Sequence, residues 1–318
     1  SCIMPIRGAG IHRNKNNAEI AINIYKSLLE KNPKDYVYRW LINLAYMVKG
    51  DYPDKVPHRW LIPQLTPSDS ITFPEFTEIA ESAGLDHISL AGGSIADDFD
   101  GDGLIDIMVS SWGVDNQLHY FKNMGNRGFE DRTESANLIG ITGGLNMVHG
   151  DYNNDGWVDV FVLRGGWFGE DGNHPNSLLK NNGDGTFTDV TKKANLDHPI
   201  LTMGSNFGDL NNDGFLDFYA GTGDPDYRSI QPNRMFLSNR GESFDDVTFH
   251  GRFGHLQKGH GVSFADFDRD GDQDIHAVMG GAYEGSVYQN ALFENPGGWK
   301  NHWVGLSLRG KQTNRLSI

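Results

Sequence analysis

The sequence is poor in cysteine and in positive charge, and both shortages restrict what the protein can be. Cys2 is the only cysteine in 318 residues, so the chain cannot form an internal disulfide or a cysteine-based zinc site. Lys and Arg number 27 against 42 Asp and Glu, which gives a formal net charge of −15. Because nucleic-acid recognition needs clustered basic residues, we expect no nucleic-acid partner.

Long hydrophobic runs are missing as well. No apolar stretch reaches the length of a membrane span, so we expect no transmembrane helix. The opening residues lack the features of a signal peptide, so an export signal would have to be missing or already removed. Ser1-Cys2 also matches the start of a processed lipoprotein, with a lipid anchor at Cys2, but an ordinary cysteine is the favoured interpretation.

Glycine is abundant, and four acidic phrases repeat along the chain. There are 40 glycines, which together with short apolar runs favour an all-β design with many tight turns. The phrases, here called loops 1 to 4, are DFDGDGLID (98–106), DYNNDGWVD (151–159), DLNNDGFLD (209–217) and DFDRDGDQD (266–274). Their starts are separated by 53, 58 and 57 residues, a spacing that indicates a repeat architecture.

More of each unit recurs around the acidic phrase. A β-like run follows it, then an apolar pair leading to Asn (HYFKN, SLLKN, RMFLSN, ALFEN), then a turn and a further strand such as GTFTDVT. The segment EFTEIAESAGL (75–85) reads as the same strand ahead of the first unit. Each unit therefore predicts about four short strands, the content of one β-propeller blade.

The acidic phrase itself predicts a cation site. Side-chain oxygens fall at positions 1, 3, 5 and 9, and Gly at position 6 permits a sharp turn. The candidate side-chain ligands are Asp98, Asp100, Asp102 and Asp106; Asp151, Asn153, Asp155 and Asp159; Asp209, Asn211, Asp213 and Asp217; and Asp266, Asp268, Asp270 and Asp274. Hard oxygen ligands without His or Cys favour Ca²⁺, and about four ions would offset part of the negative charge.

Two other structures could explain the acidic phrase: an EF-hand loop, and acidic turns that hold no metal. An EF-hand would need Glu at position 12, where this chain has Val109, Val162, Ala220 and Ala277. Acidic Asx turns without metal would explain a single copy, but four copies with the same positions filled favour calcium. NNGDGTF (181–187) lacks the alternating ligands, so it predicts a hairpin turn and no metal site.

These motifs resemble a known family. The D-x-[DN]-x-D-G-x-x-D loops and NNGDGTFTDVT are similar to the FG-GAP/VCBS repeats of integrin-α-type β-propellers, over roughly residues 73–298. The cartilage acidic protein family fits best, since NHWVGLSLRGKQTNRLSI (301–318) resembles the start of its ASPIC/UnbV domain. The resemblance implies structural Ca²⁺, seven blades in a full chain, and metal-binding carbonyls at position 7, on Leu104, Trp157, Phe215 and Asp272.

The N-terminal segment has a different pattern. Apolar residues at helical spacing predict two helices within residues 17–50, separated by Asn32-Pro33, and the pair resembles an out-of-phase tetratricopeptide (TPR) unit. The predicted domains are a TPR-like segment (1–52), a Pro-rich linker (53–70), mainly β propeller blades (71–298) and the start of an ASPIC/UnbV domain (299–318).

The loop after each acidic hairpin is long and carries aromatic residues. Equivalent loops of successive blades share one face, so we expect a ligand face for a protein or carbohydrate partner. Its predicted members are Trp112, Arg164, Trp167, Phe168, His174, Tyr227, Arg228 and Tyr283. The alternative is that these aromatics fill gaps between blades.

Three functions are compatible with these sequence features. The first is an exported, extracellular or periplasmic, calcium-stabilised binding or adhesion module. The second is a propeller enzyme acting on polysaccharide, as a lyase or hydrolase, and the third is a scaffold subunit of a larger exported complex. No catalytic residues can be assigned, because His149, His260 and His276 lie at unequal offsets from the acidic loops. The binding module is the favoured prediction.

Overall fold

The computed structural model describes residues 4–65, 72–74, 76–165 and 174–298. The chain divides into two compact units, Ser1–Glu78 and Ile79–Ile318.

The first unit contains a helical hairpin of α1 (Asn16–Lys31) and α2 (Tyr36–Lys49). Asp35 caps α2 by accepting the amide of Tyr38 at 3.0 Å, and Gly50 ends it in a left-handed conformation. Apolar residues at helical spacing, among them Leu29 and Ile42, are fully buried between the helices. The two predicted helices are confirmed, whereas the resemblance of the helical pair to a TPR unit stays a prediction.

Part of the predicted linker packs with these helices. Val56 and Trp60 are buried in the same core as the helical residues. The side chain of Asn43 joins the segment to α2, donating to the carbonyl of Trp60 at 2.8 Å and accepting the amide of Ile62 at 3.1 Å. Because Asn43 is fully buried, these bonds satisfy a polar group that would otherwise destabilise the core.

The second unit consists of four antiparallel sheets that follow one another along the chain. Sheet 1 holds β1 (Ser94–Asp97), β2 (Asp106–Val109), β3 (His119–Asn123) and β4 (Phe129–Asp131); sheet 2 holds β5 (Asn146–Gly150), β6 (Asp159–Leu163), β7 (Ser177–Asn181) and β8 (Phe187–Asp189). Sheet 3 holds β9 (Thr202–Gly208), β10 (Asp217–Thr222), β11 (Arg234–Asn239) and β12 (Ser243–Asp246); sheet 4 holds β13 (Gly259–Ala265), β14 (Asp274–Met279) and β15 (Ala291–Phe293).

Each sheet is a meander in which neighbouring strands in sequence pair in space. This agrees with the predicted repeat of about four strands, and the fold is mainly β and consistent with a β-propeller-like repeat. The expected strand in residues 75–85 is wrong for the described part: residues 76–79 are not in a strand, and α3 (Ala80–Ala83) follows. Phe76 lies outside any described sheet, and a strand forms only where it has a pairing partner.

Adjacent sheets share their cores. The innermost strands lie side by side in order, β1 with β5, β5 with β9, and β9 with β13. Phe99 of loop 1 and Phe187 of β8 pack edge-on at 6.1 Å between sheets 1 and 2. The rings of Phe161 and Phe218 are tilted relative to each other and lie 4.8 Å apart between sheets 2 and 3. Burying each of these side chains contributes about 1.5–3 kcal/mol, so the repeats hold one another together.

Candidate metal centres

All four acidic loops connect the first and second strands of their sheets. The residue before each loop pairs with its ninth residue across the hairpin: Asp97 with Asp106, Gly150 with Asp159, Gly208 with Asp217, and Ala265 with Asp274. The strands thus bring the two ends of each loop together, and the predicted loop inside a β-hairpin is confirmed.

The first Asp of each loop organises its own turn. Both carboxylate oxygens accept backbone amides, one from position 5 and one from position 6. Asp98 accepts those of Asp102 and Gly103, Asp151 those of Asp155 and Gly156, Asp209 those of Asp213 and Gly214, and Asp266 those of Asp270 and Gly271, at 2.8–3.2 Å. The loop backbone is therefore wrapped around the carboxylate at position 1 in every copy.

The third and fifth positions make shorter turns of the same kind. Asn153, Asn211 and Asp268 each accept the amide two residues on at 3.0–3.1 Å. At position 5 the acceptors are Asp102, Asp155, Asp213 and Asp270, at 2.9–3.1 Å. These are Asx turns, which hold side-chain oxygens close to the loop interior.

Two positions of every loop adopt the left-handed backbone conformation. Glycine at position 6 has φ between 85 and 102°, as the sequence predicts. Position 4 has φ of 71, 56, 54 and 68° at Gly101, Asn154, Asn212 and Arg269. Sequence reasoning missed position 4, although Gly and Asn in three of the four copies were a signal, since these residues tolerate this conformation best.

The ninth Asp is the most buried member of each loop. Asp106, Asp159 and Asp217 are fully buried and Asp274 is 3% exposed. Each accepts a backbone amide at 2.7–2.8 Å from the third strand of its sheet or, in sheet 4, from just beyond that strand: those of Asn123, Asn181, Ser238 and Asn295. Three also accept the amide of position 2, on Tyr152, Leu210 and Phe267.

Burial favours the protonated form of three ninth carboxyl groups, those of Asp106, Asp159 and Asp217. Desolvation raises the pKa of Asp159 to about 7 and that of Asp217 to about 7, and it also raises the pKa of Asp106. Backbone amides partly oppose this shift, because they stabilise the charged form. A nearby cation would favour the ionised form of these carboxyl groups. Binding of a metal ion would therefore release protons from them.

The residues whose amides bind the ninth Asp belong to the sequence pattern of an apolar pair leading to Asn, and that pattern alone does not predict their role. In sheet 2, the Asn181 side chain donates to the carbonyl of Phe99 at 2.7 Å, so it also joins sheet 2 to loop 1. Asn295 makes the same link to Leu210 at 2.9 Å between sheets 4 and 3. In sheet 3 the equivalent residue is Ser238, not the Asn239 that the sequence pattern suggests.

Two loops bring three carboxylates together. One oxygen from each of Asp98, Asp100 and Asp106 lies within 4.8 Å of the others in loop 1. Asp266, Asp268 and Asp270 form the second such group, in loop 4. Loops 2 and 3 have Asn at position 3, so their oxygen sets are less charged. Such carboxylates repel one another, and a hard divalent cation is the ligand that fits them.

Lysines from the third strand approach the first two loops. Lys122 Nζ contacts Asp100 and lies 2.8 Å from Asp102, and Lys180 Nζ lies 2.7 Å from Asp155. The other Asp100 oxygen is buried and no hydrogen-bond donor reaches it. The equivalent positions hold Leu237 of β11 in sheet 3 and Glu294, directly after β15, in sheet 4. The four loops therefore differ in the charge that the neighbouring strand brings to them.

The NNGDGTF segment is a hairpin turn between β7 and β8, as predicted. It approaches loop 2 closely, because a Cβ on Gly183 would lie 2.4 Å from the Trp157 ring. Glycine is therefore required there for the close approach of the aromatic ring.

The predicted ligand-face residues fall into separate groups. The rings of Tyr227 and Tyr283, from sheets 3 and 4, lie 5.9 Å apart and both are exposed. Arg164 and His174 line one cavity of about 410 Å³ in sheet 2. Trp167 and Phe168 lie outside the described residues. The structure thus brings Tyr227 close to Tyr283 and Arg164 close to His174. A single ligand face that contains all eight predicted residues stays a prediction.

The remaining members differ in their surroundings. Trp112 is half-buried, and Arg228 is exposed and paired with Asp226 at 2.6 Å. Arg164 donates to the carbonyls of Thr142 and Pro175 at 2.8 and 2.6 Å. Burial lowers the pKa of Arg164 to about 10. Its bonds fix the connection between sheets 1 and 2, which is a structural role.

Comparison with known proteins agrees with the repeat. A family model described as FG-GAP-like repeat matches residues 98–162 and 151–220. Cartilage acidic protein 1 of Xenopus tropicalis is 29% identical over 200 residues, which cover 60% of this chain and 29% of the relative. Among the described residues, no helix is both long and apolar enough to cross a bilayer. These findings support a place for the chain among proteins with FG-GAP-like repeats, with a partial similarity to cartilage acidic protein 1.

Proposed function

We propose that this chain is a calcium-stabilised repeat module of an exported protein, and that it binds a protein or carbohydrate partner. The observation that carries the proposal is the fourfold recurrence of one loop geometry, in which backbone amides orient the oxygens at positions 1, 5 and 9 in every loop and at position 3 in three of them. Four loops that share the hydrogen bonds at positions 1 and 5, the glycine position and a buried ninth Asp favour one shared ligand chemistry.

The donor set fits calcium. Carboxylate and amide oxygens are hard ligands, and the buried, unpartnered oxygen of Asp100 lies in the group that Asp98 and Asp106 complete. The ion would be held by the oxygens at positions 1, 3, 5 and 9, and the resemblance adds the carbonyls of Leu104, Trp157, Phe215 and Asp272. Bound Ca²⁺ supplies positive charge that offsets the repulsion within each loop.

The role of the chain's own residues is then structural. The ninth Asp is a candidate metal ligand, and its carboxylate also accepts an amide from the third strand. The same side chain therefore contributes negative charge to the loop and helps to hold the third strand beside the second. The side chains of Asn181 and Asn295 carry this connection to the neighbouring sheet. An ion at the loop would therefore stabilise a sheet and its contact with the next one.

The binding role rests on the loops at the other end of the sheets. Tyr227 and Tyr283 present two adjacent exposed rings, and exposed aromatic residues of this kind suit sugar rings or protein side chains. Exported proteins meet calcium near millimolar concentration, which suits exposed loop sites of moderate affinity. The partial similarity to cartilage acidic protein 1 also favours export.

Thermal unfolding of the whole chain in excess Ca²⁺ and after chelation tests the proposal. We expect Ca²⁺ to raise the melting temperature, since a ligand at 100 times its Kd stabilises by about 2.7 kcal/mol per site. The double variant Asp266→Asn, Asp268→Asn should lose part of the rise, whereas the control Asp54→Asn should keep it. An unchanged melting temperature in all three proteins would contradict calcium binding.

A further inference from the structure

The last residue of the outer strand is aspartate in sheets 1 to 3. These aspartates and their cross-strand partners are Asp131 with Phe121, Asp189 with Leu179, and Asp246 with Phe236. Side chains two positions apart on a strand share a face, so each aspartate lies beside the first residue of the third strand. That residue is His119 in sheet 1, Ser177 in sheet 2 and Arg234 in sheet 3. Sheet 2 therefore has a short, uncharged side chain where its two neighbours have a basic one.

In sheets 1 and 3 the aspartate is paired with this basic residue. Nδ1 of His119 lies 2.8 Å from Oδ2 of Asp131. Nη1 of Arg234 donates to Oδ2 of Asp246 at 2.7 Å. The position is thus closed in both sheets by a contact between the outer strand and the third strand.

In sheet 2 the same aspartate has a free carboxylate oxygen. Oδ1 of Asp189 accepts the amide and the hydroxyl of Thr191, at 3.0 and 2.5 Å. The hydroxyl of Ser177 contacts Arg164 and accepts a hydrogen bond from its Nη1 at 2.8 Å. Oδ2 of Asp189 therefore has no hydrogen-bond partner in the described part of the chain, and the residue is exposed.

Arg164 brings a positive charge to a position that is uncharged in sheets 3 and 4. Its backbone amide donates to the side chain of Asn176 at 2.8 Å. The equivalent bonds run from Thr222 to Asn233 at 2.7 Å and from Met279 to Asn290 at 3.2 Å. Sheet 2 thus differs from these two sheets by a guanidinium group in the same backbone setting.

Two of the three guanidinium nitrogens hold neighbouring segments. Nε donates to the carbonyl of Thr142 at 2.8 Å, and Nη1 donates to the carbonyl of Pro175 at 2.6 Å and to Ser177. Nη2 has no partner among the described residues, and no carboxylate among them forms an ion pair with the group. Burial lowers the pKa of Arg164 to about 10, and Asp189 opposes this only in part. Nη2 is therefore a donor held in place, and an anion would satisfy it.

Both unpartnered groups belong to one cavity. Arg164 and Asp189 line a space of about 410 Å³, within the range of about 300–1,000 Å³ that is typical of small-molecule sites. Lys192 adds a second positive charge to its wall, and Asp197 adds a second negative charge. Thr142 contributes a neutral polar side chain. The wall thus offers charged donors and charged acceptors to one ligand.

We propose that this cavity binds a sugar acid, a hexuronate unit with one carboxylate beside several hydroxyl groups. The inference rests on the proposed binding function and names the ligand class for sheet 2. The ligand carboxylate accepts from Nη2 of Arg164, with Lys192 close by, and a ring hydroxyl donates to Oδ2 of Asp189. A small inorganic anion would be repelled by Asp189 and Asp197, whereas a neutral sugar would leave the buried guanidinium without a counter-charge.

Calorimetric titration of the calcium-loaded chain tests the ligand class. D-glucuronate and D-galacturonate are compared with D-glucose and D-galactose, which carry the same ring hydroxyls and no carboxylate. At least one uronate should bind, and its neutral counterpart should bind about tenfold more weakly or less, because hydrogen bonds to charged groups are the stronger ones. Failure of both uronates to bind, equal binding of the neutral sugars, or tighter binding of glycine would overturn the proposal.

Two neighbouring lysines supply a matched pair of variants. Lys192 and Lys193 are both exposed, but only Lys192 is among the residues that line the cavity. Lys192→Ala should weaken uronate binding about threefold, the size expected of an exposed charge, and Lys193→Ala should bind like wild type. Equal affinities of the two variants would contradict the assignment.

A substitution copied from sheet 1 closes the site. Ser177→His places an imidazole beside Asp189, as His119 lies beside Asp131, so it should abolish uronate binding. Its calcium-dependent rise in melting temperature should equal that of wild type, which shows that the variant is folded. A folded Ser177→His protein that binds the uronate as tightly as wild type would overturn the proposal.

Two further comparisons separate the sources of the ligand and the two proposals. The trimer of D-galacturonate, titrated at the same Ca²⁺ concentration, should bind more tightly than the monomer if the site takes a polysaccharide chain, and equally if it takes the free sugar acid; both results support the site. A normal calcium-dependent melting shift without uronate binding would overturn this inference alone. Uronate binding by a chain without that shift would support it and contradict the calcium sites alone.

Discussion

The carboxylate of Asp159, which ends an acidic loop, accepts the backbone amide of Asn181 at 2.8 Å, 22 residues further along the chain. The same bond recurs between Asp106 and Asn123 and, with Ser238 as donor, at Asp217. The ninth position of the loop is therefore both a candidate metal ligand and the anchor of the third strand. Loop chemistry and sheet stability are linked through this one side chain.

Removal of an anchor carboxylate should destabilise the protein even without metal. Asp217→Ala leaves the buried amides of Leu210 and Ser238 without their acceptor, and each unsatisfied group costs about 1–3 kcal/mol. We expect the free energy of unfolding to fall by about 2–5 kcal/mol in urea titrations of the chelated protein. Asp245→Ala, at an exposed position, should change it little. Equal effects of the two substitutions would contradict the anchoring role.

Stability of the metal-free protein should fall as pH rises from about 4 to 7. The pKa of Asp159 and that of Asp217 are about 7 in the folded state and 3.8 as model values, so the folded state binds more protons in this interval. Asp131 and Asp246 have lowered pKa values, so their stabilising contribution rises with pH mainly below pH 5. The predicted loss from pH 5 to 7 is on the order of 2 kcal/mol for each of these two carboxyl groups, Asp159 and Asp217.

Calcium should reverse this pH dependence. The ion requires ionised carboxylates, so its stabilising effect should be larger at pH 7 than at pH 5. Urea midpoints measured at both pH values, with Ca²⁺ and with metal removed, give the comparison. A metal-free protein that gains stability between pH 5 and pH 7 would show that these buried carboxyl groups do not control it.

The lysines beside loops 1 and 2 should weaken calcium binding there. Lys122 and Lys180 bring positive charge to the candidate ligands Asp100 and Asp155, and this charge opposes a second cation. Lys122→Met should raise Ca²⁺ affinity at one site about threefold to tenfold, a gain of roughly 0.7–1.4 kcal/mol, in calorimetric titrations. Leu237→Lys, the converse change at loop 3, should lower affinity. Unchanged isotherms for both variants would contradict this assignment.

The left-handed fourth position gives a prediction that does not depend on metal. Arg269 has φ of 68° where the other loops have Gly or Asn, so Arg269→Gly should stabilise the chelated protein by about 0.4–1 kcal/mol. Asn212→Val should destabilise it, because a β-branched residue adopts this conformation poorly. Chemical denaturation measures both. A loss of stability in Arg269→Gly would contradict the strain argument.

Much of the repeat could be predicted from the sequence because its signals are local. The alternation of Asp and Asn with Gly at position 6 identified four hairpin loops, and the β-like runs identified the strands around them. The position-4 conformation could also have been inferred from Gly101, Asn154 and Asn212. Arg269 concealed it, since arginine is not typical of this conformation.

What sequence reasoning missed depends on residues far apart in the chain. The bonds from Asn181 to Asp159 and to Phe99 join positions 22 and 82 residues away, and no local pattern specifies such pairings. The motif points to Asn239, whereas its neighbour Ser238 makes the bond. Proline near Val56 and Trp60 predicts a loop, whereas their apolar side chains pack on the helices.

Calcium stoichiometry tests the central claim most directly. Isothermal titration of the chelated full chain with Ca²⁺ should show saturable binding that approaches four ions per chain. The variant Asp266→Asn, Asp268→Asn should bind one ion fewer, and Asp54→Asn should match wild type. Absence of saturable binding, or a stoichiometry that the loop-4 substitutions leave unchanged, would contradict the assignment of these loops as calcium sites.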